Sequence, residues 1–263
     1  LPIMQKDMEM IKSMGCNTIR GSHYPNHQSF LDMCDENGIL FWSEIPMWGF
    51  DEEHLKRPLI LERGMAMHRE MVTQYYNHPS IILWGMHNEI DTRTQAAYDL
   101  TRAFRETILS CDRSRLLTYA TMYFEKDICL ELADIISINK YIGWYEDSLT
   151  NGEAVENWKR FLTCVEERTA LEKVSDRPIL ISEFGAGALY GTRELAPCKW
   201  SEDYQSSLMT QLVPLFLASP TLSGFYIWQY CDMHSDAEWS LNRARSYNNK
   251  GIVNEYRKPK LAY

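Results

Sequence analysis

The fold of this chain is indicated most directly by residues 77–89, whose sequence is NHPSIILWGMHNE. Before this stretch, apolar side chains at helical spacing predict a long helix over about 59–76, which ends ahead of His78 and Pro79. The apolar run 80–84 predicts a strand that is buried on both faces, and a polar segment follows it. A helix, a short turn, a buried strand and a polar strand end together form the repeating unit of a parallel β/α protein.

The same order of elements recurs along the chain. Apolar runs predict seven strands, at 16–20, 39–42, 80–84, 116–119, 135–138, 178–181 and 225–228. Further helices are predicted between them over about 4–14, 92–110, 153–173 and 203–218. Another helix is predicted between an N-cap at Asn26 and a stop at Gly38, and a short helix near Ile128.

This pattern predicts an α/β fold, a (β/α)8 TIM barrel that lacks its first strand in this chain. The length of 263 residues is close to the roughly 250 that are typical of a complete barrel. A closed barrel has eight strands, however, and here a helix comes first and only seven strands follow. Since no repeat or Gly/Ser-rich linker interrupts the pattern, we predict a single domain over residues 1–263.

Composition excludes several classes of protein. Hydrophobic residues make up 45% and charged residues 24%, as in soluble globular proteins, and no apolar run approaches the roughly 18 residues of a membrane span. A net charge of −9 without a dense basic patch argues against a nucleic-acid partner. The seven cysteines are scattered without CxxC spacing, so neither a disulfide framework nor a metal site is predicted. No signal peptide is visible, which predicts a cytoplasmic location.

Polar side chains at strand ends are the first candidates for chemistry, because barrels place catalytic groups at the carboxyl ends of their strands. Glu89 and Glu183 end two different predicted strands. Two opposed carboxylates suffice for glycoside hydrolysis if one is protonated to assist the leaving oxygen and the other is ionised to attack the anomeric carbon. From position alone, each remains equally compatible with a surface loop or an ion pair. Glu44 also ends a strand and is interpreted as a structural carboxylate.

Four motifs resemble those of glycoside hydrolase family 2, in the order of that family and over almost the whole chain. They are NTIRGSHYP at 17–25, NHPS at 77–80, NE at 88–89 and SEFG at 182–185. The resemblance implies that Glu89 is the general acid/base and Glu183 the nucleophile of a retaining mechanism, which needs carboxyl groups about 5 Å apart and no cofactor. It also implies that Asn88 binds the sugar 2-hydroxyl.

Within that family, two further segments resemble the bacterial β-glucuronidases, NKYIGWY at 139–145 and NNKGI at 248–252. The second resembles a motif in which Asn and Lys hold the uronate carboxylate, which implies this role for Asn248 and Lys250. A fixed ammonium and an amide donor attract a carboxylate strongly in a partly dry pocket. The family also has an Arg near this motif, and Arg243 and Arg245 remain alternatives for it.

The same resemblance implies other sugar contacts. His23, Tyr141 and Tyr145 are expected to face the sugar, and Trp228 is expected to lie under its ring. Several gut bacterial β-glucuronidases carry a long loop after the third barrel strand, whereas residues 46–58 of this chain are short. We therefore expect an uncovered cleft that accepts bulky uronides or glycan ends.

The expected partner is a small-molecule or oligosaccharide glucuronide, with neither nucleic acid nor membrane involved. Members of the family carry β-sandwich domains before the barrel, and none of these is expected within residues 1–263. An incomplete barrel exposes two strand edges, which predicts aggregation or pairing into a homo-oligomer. Two alternatives remain open: a β-galactosidase or other family 2 glycosidase, and an inactive fragment of such an enzyme.

Overall fold

The structure is a computed structural model in which residues 2–145, 150–235 and 243–263 are described. The chain divides into two compact units. The first unit contains Leu1–Asn139 and Arg168–Ile179, and the second contains Lys140–Glu167 and Leu180–Tyr263.

Five parallel strands, each paired with the next in chain order, form the sheet of the first unit. The strands are β1 (Thr18–Gly21), β2 (Leu40–Glu44), β3 (Ile81–Asn88), β4 (Leu116–Thr121) and β5 (Ile135–Asn139). Its helices are α1 (Pro2–Ser13), α2 (Gln28–Asn37), α3 (Glu52–Leu55), α4 (Pro58–Tyr75) and α5 (Gln95–Cys111). Parallel strands need crossover connections, and α2, α4 and α5 supply those from β1 to β2, from β2 to β3 and from β3 to β4.

Helix α5 illustrates how the sequence builds this unit. Thr94 caps its first turn, because the Thr94 hydroxyl oxygen accepts from the Ala97 N–H at 3.2 Å. Its buried apolar side chains recur three or four positions apart, as Ala97, Leu100, Phe104 and Ile108. Each large side chain buried in this way contributes about 1.5–3 kcal/mol, so the helix is held mainly by its packing against the core.

The second unit contains a shorter parallel pair, β6 (Ile179–Phe184) with β7 (Gly224–Ile227), and β6 begins at the last residue of the first unit. Helix α7 (Glu202–Leu217) connects the two strands, while α6 (Asn151–Leu171) precedes β6 and spans the unit boundary. After β7, the two-residue strands β8 (Met233–His234) and β9 (Tyr247–Asn248) pair in antiparallel fashion.

All seven predicted strands are present, each within three or four residues of its expected ends. Asn26 does not cap α2, because its amide donates to the Tyr24 carbonyl, and His27 accepts from the Ser29 N–H instead. The short helix expected near Ile128 is replaced by two 3-10 turns on either side of it, Phe124–Lys126 and Leu130–Leu132. Within the described part of the chain, no helix has the length and apolar character that crossing a membrane requires.

Candidate active site

In the first unit, four strand ends bring together a group of polar side chains that we call the Arg20 cluster. Its members are Arg20, His23, Glu44, Asn88 and Asn139. The Arg20 guanidinium donates to both oxygens of Glu44, each at 3.1 Å, and to the Asn88 amide oxygen at 2.7 Å. Its carbon also lies 4.6 Å from the centre of the Trp42 ring. Arg20 is thus fixed by a bidentate ion pair and an aromatic face.

Glu44 is the anion of this cluster, and its side chain is fully buried. Burial alone would raise its pKa, but the Arg20 charge and hydrogen bonds from His23 and Arg20 outweigh that effect and hold the pKa of Glu44 below its ordinary value. His23 Nδ1 lies 2.7 Å from Glu44 Oε1. Since a carboxylate can only accept, Nδ1 carries the proton, and this contact sets the orientation of the imidazole. The structural role expected for Glu44 agrees with these contacts.

Asn88 is 1% exposed, and its amide oxygen has two donors. Besides Arg20, the Asn139 amide donates to it at 3.1 Å. The Asn88 NH2 group is buried and has no hydrogen-bond partner among the described residues. An unsatisfied buried donor is costly, so this NH2 group is available to an acceptor such as the sugar hydroxyl expected for this residue.

Glu89 follows β3 directly, and its φ of 50° places it in the left-handed region. A residue other than glycine in this region stores about 1–3 kcal/mol of strain, which is tolerated most often at functional sites. One carboxylate oxygen accepts from the Asn139 amide at 2.8 Å, and the other accepts from the Trp48 indole N–H at 3.4 Å. Trp48 is 44% exposed and stacks on His23. These contacts orient the Glu89 carboxylate at the strand end.

In the second unit, Glu183 occupies the corresponding place near the end of β6 and is 5% exposed. The Tyr141 hydroxyl donates to Glu183 Oε2 at 2.6 Å, and the backbone N–H of Lys140 donates to the Glu183 carbonyl at 2.9 Å. A short phenol donor suits an oxygen that carries negative charge. Tyr141, expected to face the sugar, is therefore in contact with the expected nucleophile.

Lys250 is 6% exposed, and its ammonium lies among aromatic side chains of the same unit. Its Nζ donates to the Tyr145 hydroxyl at 3.0 Å and lies 5.0–5.6 Å from the ring centres of Tyr141, Trp144 and Tyr145. Trp144 is buried, whereas Tyr145 is exposed. Cation–π contacts with these rings hold the ammonium in place.

Asn248 also lies in the second unit, at the end of β9. With its amide oxygen turned toward the donors around it, Asn248 accepts from Arg243 Nη1 at 3.0 Å and from the Trp228 indole N–H at 3.3 Å. Its NH2 group is then the one left to donate to a ligand. Arg245 instead forms an ion pair with Glu255 at 3.1 Å. The structure therefore favours Arg243 over Arg245 as the arginine beside the Asn-x-Lys motif.

Two members of the Arg20 cluster were given no role by the sequence, although both lie in the quoted motifs. Arg20 is the penultimate residue of β1, Asn139 is the last residue of β5, and both contact Asn88. Their position near strand ends is a usable signal, because barrels place catalytic groups there.

One group of described side chains has the composition of a metal site, namely Asp32, Asp35 and His78. The Asp35 carboxylate accepts from the Ser80 N–H at 2.9 Å and lies 2.6 Å from His78 Nδ1. These hydrogen bonds connect α2 to the turn before β3, as expected for a structural turn at His78. The group carries no evidence of a bound ion.

Comparison with known proteins places the chain in a family. The model of the family described as "Glycosyl hydrolases family 2, TIM barrel domain" matches residues 1–263. A β-glucuronidase from Sus scrofa is 30% identical over 264 residues, which are 99% of this chain and 39% of that protein. A β-glucuronidase from Homo sapiens is 30% identical over 273 residues, with the same two coverages of 99% and 39%.

Solved structures give the same result. A GH2 β-galacturonidase from Eisenbergiella tayi, bound to galacturonate, is 39% identical with a TM-score of 0.91, covering 100% of this chain and 46% of that one. The Ruminococcus gnavus β-glucuronidase is 28% identical with a TM-score of 0.89, covering 99% of this chain and 45% of that one. The chain thus spans less than half the length of these relatives. It belongs to glycosyl hydrolase family 2, and its fold is the TIM barrel of that family, as the sequence predicted.

Proposed function

We propose that this chain carries the catalytic residues of a retaining glycosidase that hydrolyses terminal β-D-glucuronides. The observation that carries the proposal is Lys250, a buried ammonium on an Asn-x-Lys motif in the unit that contains Glu183. A sugar carboxylate is the ligand that such an ammonium, together with the Asn248 amide, recognises best. Homologues named β-glucuronidase support the same substrate class.

Glu183 is proposed as the nucleophile and Glu89 as the acid/base. In the first step a Glu183 oxygen bonds to the anomeric carbon, the bond to the aglycone oxygen breaks, and the Glu89 carboxyl gives its proton to that oxygen. In the second step water attacks the anomeric carbon, Glu89 takes a proton from the water, and the Glu183 ester bond breaks. Two inversions at the same carbon give net retention.

The surroundings of the two carboxylates support this division of roles. Glu183 accepts from the Tyr141 phenol, a donor suited to an oxygen that is negative before the attack and neutral in the ester. Glu89 accepts from an amide and from an exposed indole, so its carboxylate lies at the more open of the two positions. An acid/base must meet both the leaving group and the incoming water, and an open position suits that task.

The roles are tested with Glu183→Gln and Glu89→Gln, compared on two aryl glucuronides whose leaving groups differ in acidity. Glu183→Gln should lose about 10⁴-fold or more of kcat/KM on both substrates, because no ester can form. Glu89→Gln should lose about 10²–10⁴-fold on the poor leaving group and far less on the acidic one, since an acidic phenol departs without a proton. Equal losses of Glu89→Gln on both substrates would contradict its role as the acid.

The covalent step has its own test. A 2-fluoro-glucuronyl fluoride should inactivate the protein and add one glycosyl mass to the peptide that contains Glu183. The fluorine at C2 slows both steps, and the good fluoride leaving group speeds only the first, so the ester accumulates. Labelling of a Glu89 peptide instead would reverse the assignment.

A second candidate substrate is a terminal β-D-galacturonide. It is favoured by the 39% identity to the E. tayi β-galacturonidase, compared with 28% to the R. gnavus β-glucuronidase. The two sugars share the carboxylate and differ only in the configuration at C4, so the Lys250 argument applies to both. Rates on p-nitrophenyl β-glucuronide, β-galacturonide and β-galactoside, measured side by side, decide among them. A preference for the uncharged galactoside would refute uronide recognition altogether.

A further inference from the structure

A second buried cation lies in the same unit as Lys250 and takes no part in the proposed chemistry. The Lys260 ammonium forms an ion pair with Asp232 at 2.8 Å, and both side chains are 0% exposed. Lys260 lies in the tail that follows β9, and Asp232 lies in the residues between β7 and β8. An ion pair that is completely withdrawn from solvent in a short irregular segment requires an explanation.

Lys260 Nζ has three acceptors, one for each of its protons. Besides Asp232 Oδ1, these are the carbonyl oxygens of Ala188 at 2.7 Å and Asn249 at 3.0 Å. Asn249 stands between Asn248 and Lys250, the two residues proposed to bind the uronate. Ala188 lies in the segment that leaves β6 after Glu183. The Lys260 ammonium therefore connects the Asn-x-Lys motif by hydrogen bonds to the segment that follows the proposed nucleophile.

Asp232 fixes the other end of the motif. Its Oδ1 accepts from the Gly251 N–H at 2.8 Å, in addition to Lys260. A Cβ at Gly251 would lie 2.3 Å from the Asp232 nitrogen and 2.6 Å from Asp232 Oδ1, so only glycine allows this approach. The backbone on both sides of Lys250 is thus held by the pair, through Asn249 on one side and Gly251 on the other.

The pair is poorly explained by stability alone. Burial raises the pKa of the Asp232 carboxyl and lowers that of the Lys260 ammonium, which shows that desolvation works against both charges. Apolar residues of similar volume often replace a buried ion pair without loss of stability. Apolar residues cannot, however, form directed hydrogen bonds to two backbone groups.

We propose that Lys260 and Asp232 are positioning residues that hold the backbone of residues 249–251, so that Lys250 and Asn248 meet the substrate carboxylate. This inference rests on the proposed function, because it assigns the pair a part in uronide recognition. Loss of the pair should therefore reduce the preference for a charged over an uncharged sugar, while the rate of the chemical step stays almost unchanged.

The experiment compares Lys260→Met, Asp232→Asn and the double variant with wild type and with Lys250→Ala. Lys258→Met is the matched control, since Lys258 is an exposed lysine in the same tail. Each protein is assayed on p-nitrophenyl β-glucuronide and β-glucoside, with thermal unfolding recorded alongside. The double variant removes the pair without leaving one buried charge alone, and its asparagine keeps an acceptor for Gly251. It should therefore fold even if a single variant does not.

We expect the double variant to raise KM for the glucuronide about tenfold, in the range that slight misplacement of a binding group produces. Its kcat should stay within about twofold of wild type, and the preference for glucuronide over glucoside should fall in parallel with KM. Asp232→Asn should change these values in the same direction by less, and Lys258→Met should change neither.

Two other results separate the failure of this inference from the failure of the proposed function. If Lys250→Ala lowers the preference for glucuronide but the pair variants keep the wild-type preference, or lose both substrates equally, the positioning role is overturned. If Lys250→Ala itself leaves the preference unchanged, uronide recognition at this motif is refuted, and the proposed function fails with it.

Discussion

In the first unit the buried cation Arg20 is matched by a carboxylate of the same unit, whereas in the second unit the buried cation Lys250 lies among aromatic rings. Glu44 takes both arms of the guanidinium, and Arg20 in turn orients the Asn88 amide. Lys250 donates to the Tyr145 phenol and lies against the rings of Tyr141, Trp144 and Tyr145. We interpret Arg20 as a residue that positions its neighbours, and Lys250 as the binding residue proposed above.

The largest effect is expected on the Arg20 side. Arg20→Met leaves Glu44 as a buried carboxylate without its main cation, which costs about 3–5 kcal/mol of the free energy of unfolding. Arg93→Met is the matched control, because Arg93 pairs with Asp91 at 2.7 Å with 43% of its side chain exposed, and such a pair contributes about 0–1 kcal/mol. Urea unfolding at neutral pH measures both. Equal losses in the two variants would show that the Arg20 pair is no more than a surface interaction.

On the Lys250 side, stability and activity should separate. Lys250→Met keeps an apolar stem of similar length against the aromatic rings, so it should lower the free energy of unfolding less than Arg20→Met does. Its kcat/KM on a glucuronide should fall by about 2–4 kcal/mol in transition-state terms, the scale of a lost charge-assisted contact. Arg20→Met and Lys250→Met together test the comparison directly. If Lys250→Met proved as destabilising as Arg20→Met, the two cations would not differ in role.

This difference also explains which parts of the site the sequence could predict. Apolar runs mark where strands end, so Asn88, Glu89 and Glu183 were identified as candidates from position and motif. The contacts of Arg20 and Asn139 were not, because their partners are remote in the chain. Arg20 meets Asn88 across 68 positions, and Asn139 meets Glu89 across 50. The end of a strand can be predicted from the local sequence, but which strand ends lie close together depends on how the whole sheet is assembled.

The segment around Lys250 was harder to predict for a different reason. Strands β8 and β9 have two residues each, too few for a period of two to be visible. Lys260 lies in the polar run RKPK at 257–260, which has the composition of a solvated tail. Its complete burial follows only from the tertiary contacts with Asp232, Ala188 and Asn249. The resemblance located the motif, but its support could not be seen in the sequence.

A smaller effect is expected from the backbone beside the proposed nucleophile. A Cβ at Gly185 would lie 2.3 Å from the Trp228 carbonyl oxygen, which cannot yield without moving the chain. Gly185→Ala should therefore lower the free energy of unfolding by about 1–3 kcal/mol and reduce kcat, since Glu183 lies two positions away. Gly152→Ala is the control. No atom lies within 4 Å of its added Cβ, so this helical substitution should stabilise by about 0.4–1 kcal/mol. Chemical unfolding and steady-state assays on both variants measure these effects. A Gly185→Ala variant with wild-type stability and kcat would show that the backbone at this position can move without cost.

The smallest expected effect is the change of stability with pH that the titration of Glu44 in the Arg20 cluster produces. Its pKa in the folded protein lies below the ordinary value, so its ionised form stabilises the fold above about pH 4.3, the usual pKa of a glutamate. That contribution is lost as the pH falls through the lowered pKa, because the folded and unfolded states then bind the proton alike. The difference in free energy of unfolding between wild type and Glu44→Gln should accordingly be constant near neutrality and shrink in acid. Glu9→Gln, which alters an exposed pair with Lys6, supplies the control curve over the same pH range. If wild type remained more stable than Glu44→Gln by the same free energy of unfolding in strong acid, Glu44 would stabilise the fold by its packing, and its charge would contribute nothing.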